Sequence, residues 1–202
     1  MKISKALGSL LLAVLLVSLP CQAAEGNQGY AVYRDGVAMN LTWHAGIMVE
    51  PNSSNYGSAI AHAPGGSDNA KTEYASYNTF LNGKNFKGVY RPHKPLTNHE
   101  RDLVVSTARY IAEKRIPYEL SAMMIANENN GRTRFYPNDI QKIRCDGVVE
   151  YSYEYNGIPV YGIKNWDISL NRIPEIEIHR GIINVNPQIQ ANSMVQISTT
   201  KP

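Results

Sequence analysis

A single cysteine constrains this 202-residue chain more than any other feature. Met1-Lys2 and Lys5 make a basic start, Leu10 to Val17 is a short apolar run, Pro20 breaks it, and the small Ala23 and Ala24 follow. That order predicts a secretory signal peptide over residues 1–24 and a mature domain over 25–202. The apolar run is too short to span a bilayer comfortably, so no stable membrane insertion is expected after cleavage. Cys21 leaves with the signal. Lipid attachment at Cys21 is the poorer match, because Pro20 and Ser18 stand where a small residue and Leu belong. The mature chain then keeps only Cys145, in a periplasmic or secreted setting that oxidises thiol pairs. No intrachain disulfide can form, so the thiol is buried and inert, joined to another chain, or a working group.

Charge narrows the function classes. The chain carries 20 Lys+Arg against 17 Asp+Glu, and loss of Lys2 and Lys5 leaves 18 against 17, a net charge of +1. No basic stripe marks a nucleic-acid partner. No His-Glu-x-x-His and no second mature cysteine supports a metal site, no Gly-x-Ser-x-Gly elbow marks a serine hydrolase, and no cofactor is expected.

The remaining pattern predicts one α+β domain. Leu41 to Val49 reads as a strand, Pro51 to Gly57 as a turn, and Ser58 to Ala63 as a second strand stopped by Pro64-Gly65-Gly66, which together make a hairpin. Gly88 to Arg91 is a further strand. Thr97 and Glu100 have capping-box spacing and open a helix whose apolar face is expected at Leu103, Thr107, Tyr110 and Ile111, ended by Pro117. Asn127 to Asp139 reads as a loop, Cys145 to Tyr155 as a second helix, and Glu175 to His179 as a β-like run.

Cys145 would therefore sit in a first helical turn, where free N–H groups favour a thiolate and can hold an oxyanion. His44 and His62 lie on the two hairpin strands at equal distance from the turn, which predicts cross-strand neighbours on one face. One ring would act as base toward Cys145, within hydrogen-bond reach of the sulfur, and the other would orient it. A thiol pKa below its free value is expected. A one-residue slip in register would break the histidine pair. His93 and His99 are expected to face solvent, and His179 is a competing base.

Two segments carry a resemblance. Trp43-His44-Ala45-Gly46-Ile47-Met48-Val49 resembles the His-x-Gly-Ile strand of the NlpC/P60 superfamily, and Arg144-Cys145-Asp146-Gly147-Val148-Val149 resembles its cysteine helix start. Histidine precedes cysteine here, as in the circularly permuted branch of YiiX-like and lecithin:retinol acyltransferase-like proteins. The resemblance spans residues 41–155. It implies a papain-like single domain with an antiparallel sheet packed on the cysteine helix, Cys145 as nucleophile, His44 as base and His62 as the third polar residue. It matches Tyr118 with a tyrosine lining the oxyanion site. Asp146 stands where many members have serine, a change expected to matter little. The implied activity is hydrolysis of an amide, with a peptidoglycan peptide as substrate, through an acyl-enzyme; a lipid substrate, hydrolysed or used for acyl transfer, is the alternative. A non-catalytic exported binding or inhibitor module is the rival, with some of the 13 tyrosines lining its surface.

Overall fold

The computed structural model describes residues 24–36, 43–51, 56–67, 69–127, 136–161 and 186–202. The signal segment up to Ala23, Leu41, Thr42 and the run with His179 lie outside the described residues.

Among the described residues, an antiparallel sheet of six strands is the frame. In chain order these are β1 (Ala31–Asp35), β2 (Trp43–Met48), β3 (Ile60–His62), β4 (Glu73–Ala75), β5 (Phe86–Arg91) and, at the C-terminal end, β8 (Val195–Ser198). Their order across the sheet is β4-β3-β2-β1-β5-β8. β2 is an interior strand, covered on both faces: all but one of its residues are buried. Alternation along it therefore sorts residues between two apolar layers. Ala45 and Ile47 enter one layer with Ala31 and Tyr33, while Met48 enters the other with Val32, Ile60 and Phe80.

The short α1 (Tyr77–Leu81) puts Tyr77, Phe80 and Leu81 into the second layer, while α2 (Asn98–Glu113), α3 (Cys145–Glu154) and α4 (Pro187–Asn192) cover the first. α2 begins where expected: Thr97 is its N-cap, and the Thr97 and Glu100 side chains each take a backbone N–H of the other. Its buried face differs from the expected one. Arg101, Val104, Val105, Thr107, Ala108, Ile111 and Ala112 are buried, whereas Leu103 points outward at 38% exposure. Both rows have helical spacing and share Thr107 and Ile111; the buried stripe is rotated so that Tyr110 falls at its edge and Leu103 outside it. The helix stops at Glu113, ahead of Pro117, and Arg115 takes a left-handed φ of 54°.

The stretch before the cysteine helix is more ordered than its polarity predicts. A 3-10 turn over Pro137–Asp139 leads into β7 (Ile140–Ile143), which pairs with β6 (Met124–Ala126) as a separate two-stranded sheet. Ile140 and Ile143 face a cluster with Ile111, Val148 and Tyr151, while Gln141 and Lys142 are exposed. Two apolar anchors at the ends of a polar pair read poorly as a strand from sequence. They fasten the chain just ahead of Cys145.

Candidate active site

Cys145 is the first residue of α3, with Arg144 as N-cap. The Arg144 side chain does not cap a backbone N–H of the helix; it binds the Asp146 carboxylate in the first turn through two parallel contacts, Nε to Oδ1 at 2.7 Å and Nη2 to Oδ2 at 2.8 Å. Asp146 also accepts from the Gly147 N–H at 3.1 Å, so one first-turn donor is already engaged. Gly147 has to be glycine: a Cβ there would strike the backbone carbonyl of Met123.

The sulfur lies in the layer of Ala45, Ile47 and Tyr33, fully buried. The backbone N–H groups of Ala45 and Asp146 both donate to it. Burial nevertheless pushes the thiol up to about 12, Asp146 pushes the same way, and the two N–H groups and Arg144 offset only part of this. The expectation of a lowered thiol pKa is thus corrected: the site is drier than a helix N-terminus alone implies. The expectation that Asp146 matters little is corrected too, since its carboxylate is completely buried beside the thiol and paired to the N-cap arginine.

The histidine pair is present. β2 and β3 are antiparallel, with Gly46 opposite His62, Ile47 opposite Ala61 and Met48 opposite Ile60. The register is therefore displaced by two residues from the symmetric one. A two-residue shift preserves the face, and His44 Nε2 lies 2.8 Å from His62 Nδ1 with the rings nearly perpendicular. Gly46 lies on the same face; a Cβ there would come within 2.6 Å of Ile60 Cγ2 and 3.2 Å of His62 Cβ. Both rings pack on Phe80, with centroids at 5.2 and 5.5 Å.

Both imidazoles are neutral at pH 7. Burial, then His62 and Arg34, hold His44 well below its usual value; burial and Arg34 take His62 down to about 3. Arg34 stands directly opposite His44 on β1 and lies over the Phe80 ring. It also feels the charge of Cys145. No sequence pattern singles out Arg34 or Phe80, because each comes from a separate segment and neither belongs to a motif.

Cys145 and His44 meet through the backbone. The sulfur binds the N–H of Ala45, the residue after His44, while the His44 side chain leaves the strand on the Phe80 face. Among the described residues no hydrogen bond joins the sulfur to an imidazole, and the two lie on opposite faces of β2, so the expected direct contact is not formed. Tyr118 is held between the end of β7 and the turn after β3. Its N–H donates to Ala70 O at 2.8 Å, it bridges to Ile143, and its ring covers Gly65 just past β3. Burial and the charges of Cys145 and Asp146 raise its hydroxyl. His93 and His99 are exposed, as expected. Among the described residues no group of three or more His, Cys, Asp or Glu side chains could hold a metal ion.

Comparison with family models, with curated proteins and with solved structures finds no match for this chain.

Proposed function

We propose that the chain is a papain-like enzyme of acyl transfer, with Cys145 as nucleophile and His44 as its base. Within that class we propose an exported hydrolase acting on the amide of a peptidoglycan peptide. The observation that supports this reading is the pairing of His44 with His62 at 2.8 Å on one face of β2, with a sulfur at the start of α3 bound to the N–H of Ala45 on the other. His62 uses the Nε2 of His44, which leaves Nδ1, the nitrogen nearer the His44 backbone, for the thiol proton. The substrate class follows from the resemblance and the export signal alone.

Burial makes this a neutral pair rather than a thiolate–imidazolium pair. Transfer of the thiol proton to His44 Nδ1 requires the sulfur to leave the Ala45 layer and reach the His44 face of β2 as it attacks the carbonyl carbon, and the Asp146 N–H that the sulfur gives up can then donate to the oxygen that becomes negative. His44 then gives the proton to the departing amine. Water, deprotonated by the same ring, releases the acyl group and restores the thiol. The covered sulfur requires that substrate displace what lies over it.

Two observations favour a second reading, a non-catalytic binding module. Cys145 is buried like a core residue, and an open cleft of about 420 Å³ lies between α2 and the 3-10 turn, lined by Tyr110, Tyr136 and Tyr155 with Thr107 and Asn138. Mass spectrometry of mature protein incubated with purified peptidoglycan fragments and, separately, with phospholipid distinguishes the readings. Peptide cleavage products that vanish with Cys145→Ser are expected. Lipid products alone would move the substrate to an ester, and no products from either would favour the binding module.

A further inference from the structure

We propose that Glu73 is a positioning residue that sets the tautomer of the histidine pair, leaving His44 Nδ1 unprotonated and able to accept the thiol proton. The inference rests on the reading of His44 as base.

The far nitrogen of His62, Nε2, is buried and has no hydrogen-bond partner among the described residues. The carboxylate of Glu73 stands 4.0 Å away, and register makes the approach systematic, because His62 and Glu73 are directly opposed on β3 and β4. Glu73 is turned further by Arg115, whose Nη1 donates to Oε2 at 3.3 Å and leaves Oε1 toward the imidazole.

A separation of 4.0 Å is too long for a hydrogen bond but short for a charge beside the dipole of a buried imidazole, even with the Glu73 side chain 36% exposed. An Nε2 lone pair would face the carboxylate and be repelled; an Nε2–H is attracted. The proton of neutral His62 therefore sits on Nε2, and Nδ1 carries a lone pair. The contact at 2.8 Å then has one sense only: His44 Nε2–H donates and His62 Nδ1 accepts. A neutral His44 with its proton on Nε2 has Nδ1 free. In the opposite tautomer His62 would donate from Nδ1, His44 would carry its proton on Nδ1, and it could not take one from sulfur. Glu73 selects between a competent and an incompetent pair without touching the reacting atoms.

The test is a nitrogen-15 NMR measurement of ring tautomers in histidine-labelled mature protein at neutral pH. In the wild type both His44 and His62 are expected to show a pyrrole-type Nε2 and a pyridine-type Nδ1. Glu73→Met, which removes the acceptor and keeps most of the volume, is expected to lose the single tautomer. Arg115→Asn, which breaks the same surface ion pair at a left-handed position that asparagine tolerates, is expected to keep it. A wild-type His62 protonated on Nδ1, or a Glu73→Met spectrum identical to wild type, would overturn the proposal. Should Glu73→Met fail to fold, the wild-type spectrum decides by itself. The readout needs no turnover: correct tautomers without product from any substrate would sink the enzymatic reading and leave this one standing.

Discussion

At the scale of single residues, burial decides the chemistry. A cysteine at a helix start suggests a thiolate, yet Cys145 sits in an apolar layer whose desolvation outweighs its N–H donors and Arg144, and its thiol rises to about 12. The identity and helical position of Cys145 were legible in the sequence. Its burial was not, because the atoms that cover it come from Ala45 on β2 and from other distant segments. The same holds for Arg34, whose place opposite His44 depends on a pairing no local pattern announces. A pH profile follows. His44 accepts the thiol proton only when neutral, and its pKa lies well below 6.5 because of burial, His62 and Arg34. The acid limb of kcat/KM should therefore lie below pH 6.5, with the alkaline limb far above neutrality. An acid limb at or above 6.5 would show that a less buried imidazole controls the reaction.

At the scale of elements, the hairpin was legible because β-formers bracket an obvious turn, and the face shared by the histidines survived a two-residue displacement. What stayed hidden was Glu73, which belongs to a third strand that pairs with β3 only in the folded sheet. The β6–β7 pair was missed because its polar middle masks two apolar anchors. Two substitutions probe the elements. Gly46→Ala would put a methyl within 2.6 Å of Ile60 Cγ2 and 3.0 Å of the Ala61 carbonyl. It should cost about 1–3 kcal/mol in urea unfolding, as overpacking does, and loosen the His44–His62 bond; an unchanged stability would mean that β3 gives way freely. Thr97→Ala removes the α2 cap and should cost about 1 kcal/mol without touching the histidine tautomers.

At the scale of the whole molecule, the two buried imidazoles make stability depend on acid. His62 titrates near 3 in the fold and at the ordinary 6.5 when unfolded, so the unfolded chain binds more protons between those values. The stability held by neutral His62 is complete above pH 6.5 and drains as pH falls toward 3, by about 1.4 kcal/mol per pH unit. His44, depressed in the same direction, adds to the slope. Urea unfolding at a series of pH values should show this fall, shallower by about one proton in His62→Leu; parallel slopes would mean that the ring is already solvated in the native state.

The central claim is that a buried thiol is served by His44. Its most direct test needs no substrate: the rate at which iodoacetamide alkylates Cys145 in folded protein at pH 7, read by intact mass, for wild type and His44→Ala. Wild type should be alkylated faster than the protein unfolds, through native-state openings that admit the reagent. His44→Ala should slow this by about 10²–10⁴, the usual worth of a general base. Equal rates in both proteins, set by global unfolding, would contradict the account and leave Cys145 a core residue of a binding module.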